Sequence, residues 1–141
     1  MAEKPQVLVL EDDIMFSVRL ESVLKKSGYA PLMARSFEQA LQLAESTSLV
    51  LSIVSFGRAH LRPLEAVTRL KALTKTSPVI GFLSHTQIPQ VRPDAKAAGC
   101  DLLVPNSSIT MRLPQLMARL APLDGAVIDM DSAQVIAEEE E

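Results

Sequence analysis

Five short apolar runs, each followed by a stretch of helical periodicity, leave this chain few folds to choose from. The runs are residues 6–10, 29–34, 49–55, 78–83 and 101–104. The third, LVLSIVS, places Leu49, Val50, Leu51, Ile53 and Val54 nearly consecutively, as in a strand buried on both faces of a parallel sheet. Between the runs, residues 14–26 carry Ile14, Phe16, Val18, Leu20, Val23 and Leu24 near helical spacing and stop at Ser27-Gly28. A capping box, Ser36-Phe37-Glu38-Gln39, opens a second helix to about Ser46. A third covers 64–74, with Pro63 suited to its first turn. In 87–98, Pro89 and Pro93 are expected to leave only a short helix, about 93–98, closed by Gly99. A last helix covers 113–120, with Pro114 near its start. Strands alternating with helices predict an α/β fold, (βα)5, with right-handed crossovers and helices on both faces of a parallel sheet.

At 141 residues the chain fits one domain with a real core. Residues 1–121 are expected to form it. Residues 122–141 read as an acidic tail or the start of a linker, with Ala126-Val127-Ile128 a candidate short strand. All 14 lysines and arginines fall in residues 1–125 against 11 acids, a net +3, whereas residues 126–141 hold six acids and no base. A surplus of +3 is too weak to argue for nucleic acid. No apolar stretch reaches the roughly 18 residues of a membrane span, and the N-terminus does not read as a signal peptide. One cysteine, Cys100, suits a reducing cytoplasm. With only His60 and His85 beside it, no zinc spacing arises.

The first strand ends in Glu11-Asp12-Asp13. Three adjacent carboxylates repel unless a cation sits among them, and a parallel sheet's C-terminal edge is a suitable Mg²⁺ seat. The alternative is that Asp12 or Asp13 caps the next helix. The third strand, by contrast, ends in Ser55-Phe56-Gly57, and no acid lies between Glu45 and Glu65.

VLVLEDD at 7–13, Ser-Gly-Tyr at 27–29, PVIGFLSH at 78–85 and AAGCDLLV at 97–104 together resemble the receiver (response-regulator) domain of two-component signalling, over residues 6–121. The resemblance implies a flavodoxin-like doubly wound sheet of strand order 2-1-3-4-5. It implies an acidic pair holding Mg²⁺ and an aspartate on strand three accepting a phosphoryl group. It also implies a hydroxyl ending strand four, a lysine ending strand five and an aromatic residue three positions before that lysine. Phosphoryl transfer relies on such a set for positioning and charge neutralisation.

Glu11 and Asp12 match the acidic pair, and Ser84 matches the hydroxyl. The lysine position is Asn106 and the aromatic position is Leu103. The acceptor position falls on Ser55, or Val54 in another register. Serine needs an adjacent base to act as a nucleophile, and asparagine brings no cation. These departures make the chain a degenerate pseudo-receiver, with Mg²⁺ at Glu11 and Asp12 weak or vestigial and no cofactor required. Arg58, His60 and Arg62 after strand three form a candidate interaction loop, or pair with the three acids as an internal charge cluster that replaces Mg²⁺.

The expected function is therefore non-phosphorylated, non-enzymatic protein–protein interaction in bacterial-type signalling, with a signalling protein or a second copy of the chain as partner. An atypical phosphorylatable regulator using Asp12, Asp13 or Ser55 is one alternative. A small-ligand sensor using the vacated pocket is another. A small α/β enzyme has less behind it: there is no Gly-rich phosphate loop and no G-x-S-x-G elbow.

Overall fold

A computed structural model describes residues 4–74 and 77–123. Strands β1 Gln6–Leu10, β2 Ala30–Ala34, β3 Leu49–Ser55, β4 Val79–Leu83 and β5 Leu102–Pro105 form one parallel sheet in the order β2-β1-β3-β4-β5. The helices are α1 Ile14–Lys26, α2 Phe37–Ser46, α3 Pro63–Thr74, α4 Ile88–Ala98, α5 Asn106–Met111 and α6 Leu113–Leu120. A 3₁₀ turn, Ala59–Leu61, precedes α3.

Side-chain alternation along each strand builds two cores. Leu8, Leu10, Val54, Val79, Leu83 and Leu103 pack against α2, α3 and α4. Val7, Val9, Leu51, Ile53, Ile80, Phe82 and Val104 pack against α1, α5 and α6. In register, Leu10 lies opposite Ala34 and Val54, Val54 opposite Gly81, and Gly81 opposite Leu103. The strand tips therefore share one edge, and the loops leaving them converge there.

Local signals set most boundaries. Ser36 Oγ accepts the Gln39 N–H at 3.1 Å, and Gln39 Oε1 reaches back to accept the Arg35 N–H at 2.8 Å. Gly28 and Gly99 end α1 and α4 with φ of 96° and 106°, where glycine avoids a Cβ clash. The α6 end is pinned by Tyr29, whose buried hydroxyl donates to the Ala121 carbonyl at 2.5 Å.

Two expectations are corrected. Helix α4 runs unbroken over Ile88–Ala98, not 93–98. Pro89 lies in the first turn, where its missing N–H has no helical partner to lose, and Pro93 forfeits only the bond back to that turn. Buried Ile88 and Ala95 hold the helix down across both prolines. Helix α5 was not expected, because Asn, Ser and Thr are weak helix formers. Tertiary contact overrides them, with Ile109 and Ser108 buried under the sheet edge. The candidate strand at 126–128 and the acidic residues 129–141 lie outside the described residues. Among the described residues, no helix is long and apolar enough to cross a membrane.

Candidate functional site

At the C-terminal edge of the sheet, β1 delivers Glu11 into the interior, where it is only 3% exposed. Glu11 Oε2 accepts the N–H groups of Asp12 at 2.9 Å and Asp13 at 3.4 Å, and lies 3.8 Å from Arg58 Nε. Burial pushes the Glu11 carboxyl above its ordinary value, against the pull of the two backbone donors and of Arg58. Asp13 caps α1, accepting the Phe16 N–H at 2.8 Å. Capping is thus the work of Asp13, whereas Asp12 is the hub of an ion cluster.

One Asp12 carboxylate oxygen accepts from Arg58 Nε and the other is bonded to His60 Nε2. Arg35 Nη2 also donates to the Asp12 carbonyl at 3.3 Å. The His60 bond and then Arg58 hold the Asp12 carboxyl below its usual range. The charge cluster seen as an alternative in the sequence therefore forms, but with two of the three bases. Arg62 points elsewhere. Its Nε and Nη2 grip Glu65 at 3.1 and 2.5 Å, its Nη1 lies 3.7 Å from Glu38, and its guanidinium covers the Phe37 ring at 4.1 Å.

A pocket of about 190 Å³ sits beside the cluster, with Glu11, Asp13, Ser55, Gly57, Arg58 and Asn106 in its lining. Ser55 is buried at 3% exposure, and Asn106 is exposed at the start of α5. The remaining lining is Phe16 and Phe82, stacked with centroids 5.1 Å apart and planes 13° apart. Three residues matched to the receiver set are not in that lining: Asp12, held in the ion cluster beside it, Ser84 and Leu103. Ser84 is half-buried at the end of β4, its Oγ 3.0 Å from Thr86 Oγ1. Leu103 is buried in the core on the α2–α4 face of the sheet. The Phe16–Phe82 pair had no signal in the sequence: helix and strand bring together rings 66 positions apart, and neither period reveals it.

The donor set does not fit a divalent cation as it stands. Both Asp12 oxygens already face cationic or hydrogen-bonding partners, Asp13 caps a helix, and Ser55, at the end of β3 in the same pocket, offers a hydroxyl and no carboxylate. No group of three or more His, Cys, Asp or Glu side chains suited to a metal occurs among the described residues.

The two carboxylates have opposite pH signatures. Asp12, with its folded pKa depressed, contributes stability that is present above the unfolded value and lost as pH falls through the folded one. Glu11, with its folded pKa raised, contributes stability present below the unfolded value and lost as pH rises through the folded one. Urea denaturation at stepped pH is expected to show a shallower loss of stability below about pH 4 in Asp12→Asn than in the natural protein. Equal slopes would mean that the cluster contributes nothing to the fold.

The overall fold is that of the CheY-like response-regulator receiver domains. Vibrio cholerae chemotaxis protein CheY4, crystallised at low pH, superposes with a TM-score of 0.76 at 19% identity, over 84% of this chain and 99% of that one. A putative response regulator from Chloroflexus aurantiacus gives 0.69 at 23% identity, over 83% and 100%. A Burkholderia pseudomallei response regulator with a phosphorylated aspartic acid, a calcium ion and citrate gives 0.69 at 21%, over 96% and 72%. The sequence matches no protein-family model and no curated protein.

Proposed function

We propose that this chain is a pseudo-receiver: a receiver-fold module of two-component-type signalling that binds a signalling protein without being phosphorylated. The observation that carries this is the pairing of Arg58 and His60 with Asp12, next to a β3 tip whose buried residue is Ser55. A protein cation stands against the acidic pair where a receiver would need Mg²⁺, and the acceptor position has no carboxylate. Phosphoryl chemistry depends on the metal and the acceptor together. Exposed apolar side chains at the start of α1, Ile14 at 63% and Met15 at 75%, lie next to the site and offer area to a partner. The pocket at the strand tips, about 190 Å³, falls below the roughly 300 Å³ at which ligand pockets begin, and this weighs against a small-ligand sensor.

The test is an amide NMR titration with Mg²⁺ and then beryllofluoride, followed by intact mass after acetyl phosphate. The natural protein is expected to show no saturable shifts at Glu11, Ser55 or Asn106 and no phosphoryl adduct. A single adduct would overturn the reading. Arg58→Gln is expected to cost about 1–3 kcal/mol, because it leaves the nearly buried Glu11 and its neighbour without their shared cation. It should also convert a silent Mg²⁺ titration into a saturable one. An unchanged midpoint in urea together with continued silence would remove the cluster from the explanation.

A further inference from the structure

Among the described residues, three buried side-chain polar atoms find no hydrogen-bond partner: Ser52 Oγ, and both Nε and Nη2 of Arg92. The last two belong to one guanidinium edge. Nε and Nη2 point the same way and form the fork that grips a carboxylate or phosphate through two parallel bonds. Arg62 uses this same edge on Glu65, at 3.1 and 2.5 Å. In Arg92 the fork is shut off from water and grips nothing, which costs a desolvation penalty with no return.

Arg92 lines a cavity of about 310 Å³ between α4 and the edge strand β5, together with Ala95, Lys96, Cys100, Asp101 and Leu103. Lys96 lies one helical turn after Arg92 and makes no ion pair among the described residues. The one acid in the lining is already committed: Asp101 Oδ2 accepts from Lys71 Nζ at 3.0 Å and from the Val79 N–H at 2.7 Å. Arg92 and Lys96 thus line the cavity without an ion pair among the described residues, beside Asp101, whose charge Lys71 offsets, and with Ala95 and Leu103 as apolar walls; the Arg92 fork lies out of reach of water and has to turn into the cavity to meet a ligand. No acceptor ties the fork down, so swinging it into the cavity costs little beyond side-chain entropy.

We propose that this cavity is a receptor for a small molecule bearing an oxyanion group, phosphate or carboxylate, gripped by the Arg92 fork and steadied by Lys96. The cavity shares no lining residue with the Asp12 cluster, so the proposal stands independently of the pseudo-receiver reading. Its volume reaches the roughly 300 Å³ at which ligand sites begin.

The test is a ¹H–¹⁵N titration of the full chain with inorganic phosphate and, separately, malonate, at constant ionic strength set with chloride. Saturable shifts are expected at the Arg92 side chain and at the amides of Lys96 and Cys100, with a Kd of about 1 mM for these minimal probes. Arg92→Gln should weaken binding about tenfold or more and Arg92→Lys by less, since lysine keeps the charge and loses the fork. Saturation by only one probe would support the proposal and identify the head group. No saturation by either, or shifts that survive Arg92→Gln, would overturn it. Thermal melting gives a second readout: in chloride alone Arg92→Leu should melt at or above the natural protein, having shed an unpaired buried guanidinium. Phosphate or malonate should raise the melting temperature of the natural protein only. A clear fall in melting temperature for Arg92→Leu in chloride would show that the fork is already satisfied and overturn the proposal.

Discussion

Gly81→Ala is expected to lower stability by about 2–3 kcal/mol, a large share of the 5–15 kcal/mol typical of a domain. Gly81 is central in β4, paired with Val54 on one side and Leu103 on the other. A Cβ there would lie 2.5 and 2.7 Å from the Phe56 ring and 2.9 Å from Leu103 Cδ1. The ring fills the space that the glycine leaves, and its backbone is tied to β4 by the Phe56 N–H donating to the Phe82 carbonyl at 2.8 Å. It therefore cannot retreat without dragging the β3 tip and the site loop. Phe56→Ala alone should cost about 3–4 kcal/mol through the cavity it opens. In the double variant the new methyl enters that cavity, so the two losses should fall short of additive by about 1 kcal/mol or more. Urea denaturation of the four proteins measures the cycle. Strict additivity would mean that glycine at 81 is not required by the Phe56 ring.

Ser55→Asp is expected to have the second large effect, on both stability and metal response. Ser55 is buried in the pocket shared with Glu11, Asp13 and Arg58. An aspartate there adds a carboxylate beside the buried Glu11 and makes it compete with Asp12 for the Arg58 guanidinium. Without metal the variant should lose about 2 kcal/mol at neutral pH, and regain stability as the pH falls and one carboxyl takes a proton. Millimolar Mg²⁺ should raise its melting temperature and leave the natural protein unchanged, because the aspartate completes a set of oxygen ligands that the serine leaves short. Differential scanning calorimetry with and without Mg²⁺ reads both effects. A variant as stable as the natural protein and blind to Mg²⁺ would mean that Ser55 does not occupy the acceptor position of this fold.

Much of the architecture was legible because its signals are local. The apolar runs gave five strands within a residue of their ends, and the Ser36 capping box and the glycines at 28 and 99 bounded three helices. Residues 87–98 misled because a proline breaks a helix only where its place in the turn costs a backbone bond, and Pro89 stands in the first turn. Residues 106–111 misled because weak propensity was outweighed by burial of Ile109. At the site, the run of acids and the missing acid after β3 were both visible, since they are matters of composition at known positions. The partners of those acids were not. Asp12 reaches Arg58 and His60 across 46 and 48 positions, and nothing in the residues between fixes that contact.

The sequence by itself determined the sheet, its helical layers and the lack of a carboxylate at the tip of β3, because periodicity and residue identity do not depend on what lies across the fold. Only the tertiary structure decided how the three bases after β3 divide their work. The 3₁₀ turn over Ala59–Leu61 follows Arg58, and Arg62 then adopts a left-handed backbone with φ 55°. That reversal sends Arg62 to Glu65, Glu38 and Phe37, while Arg58 and His60 stay with Asp12. Arg92, one more cation in the sequence, acquired its unpaired fork the same way: α4 buries that edge without a hydrogen-bond partner among the described residues. Side-chain charge is written in the chain, but which charges meet depends on loop conformation and helix packing, and those are set by the whole fold.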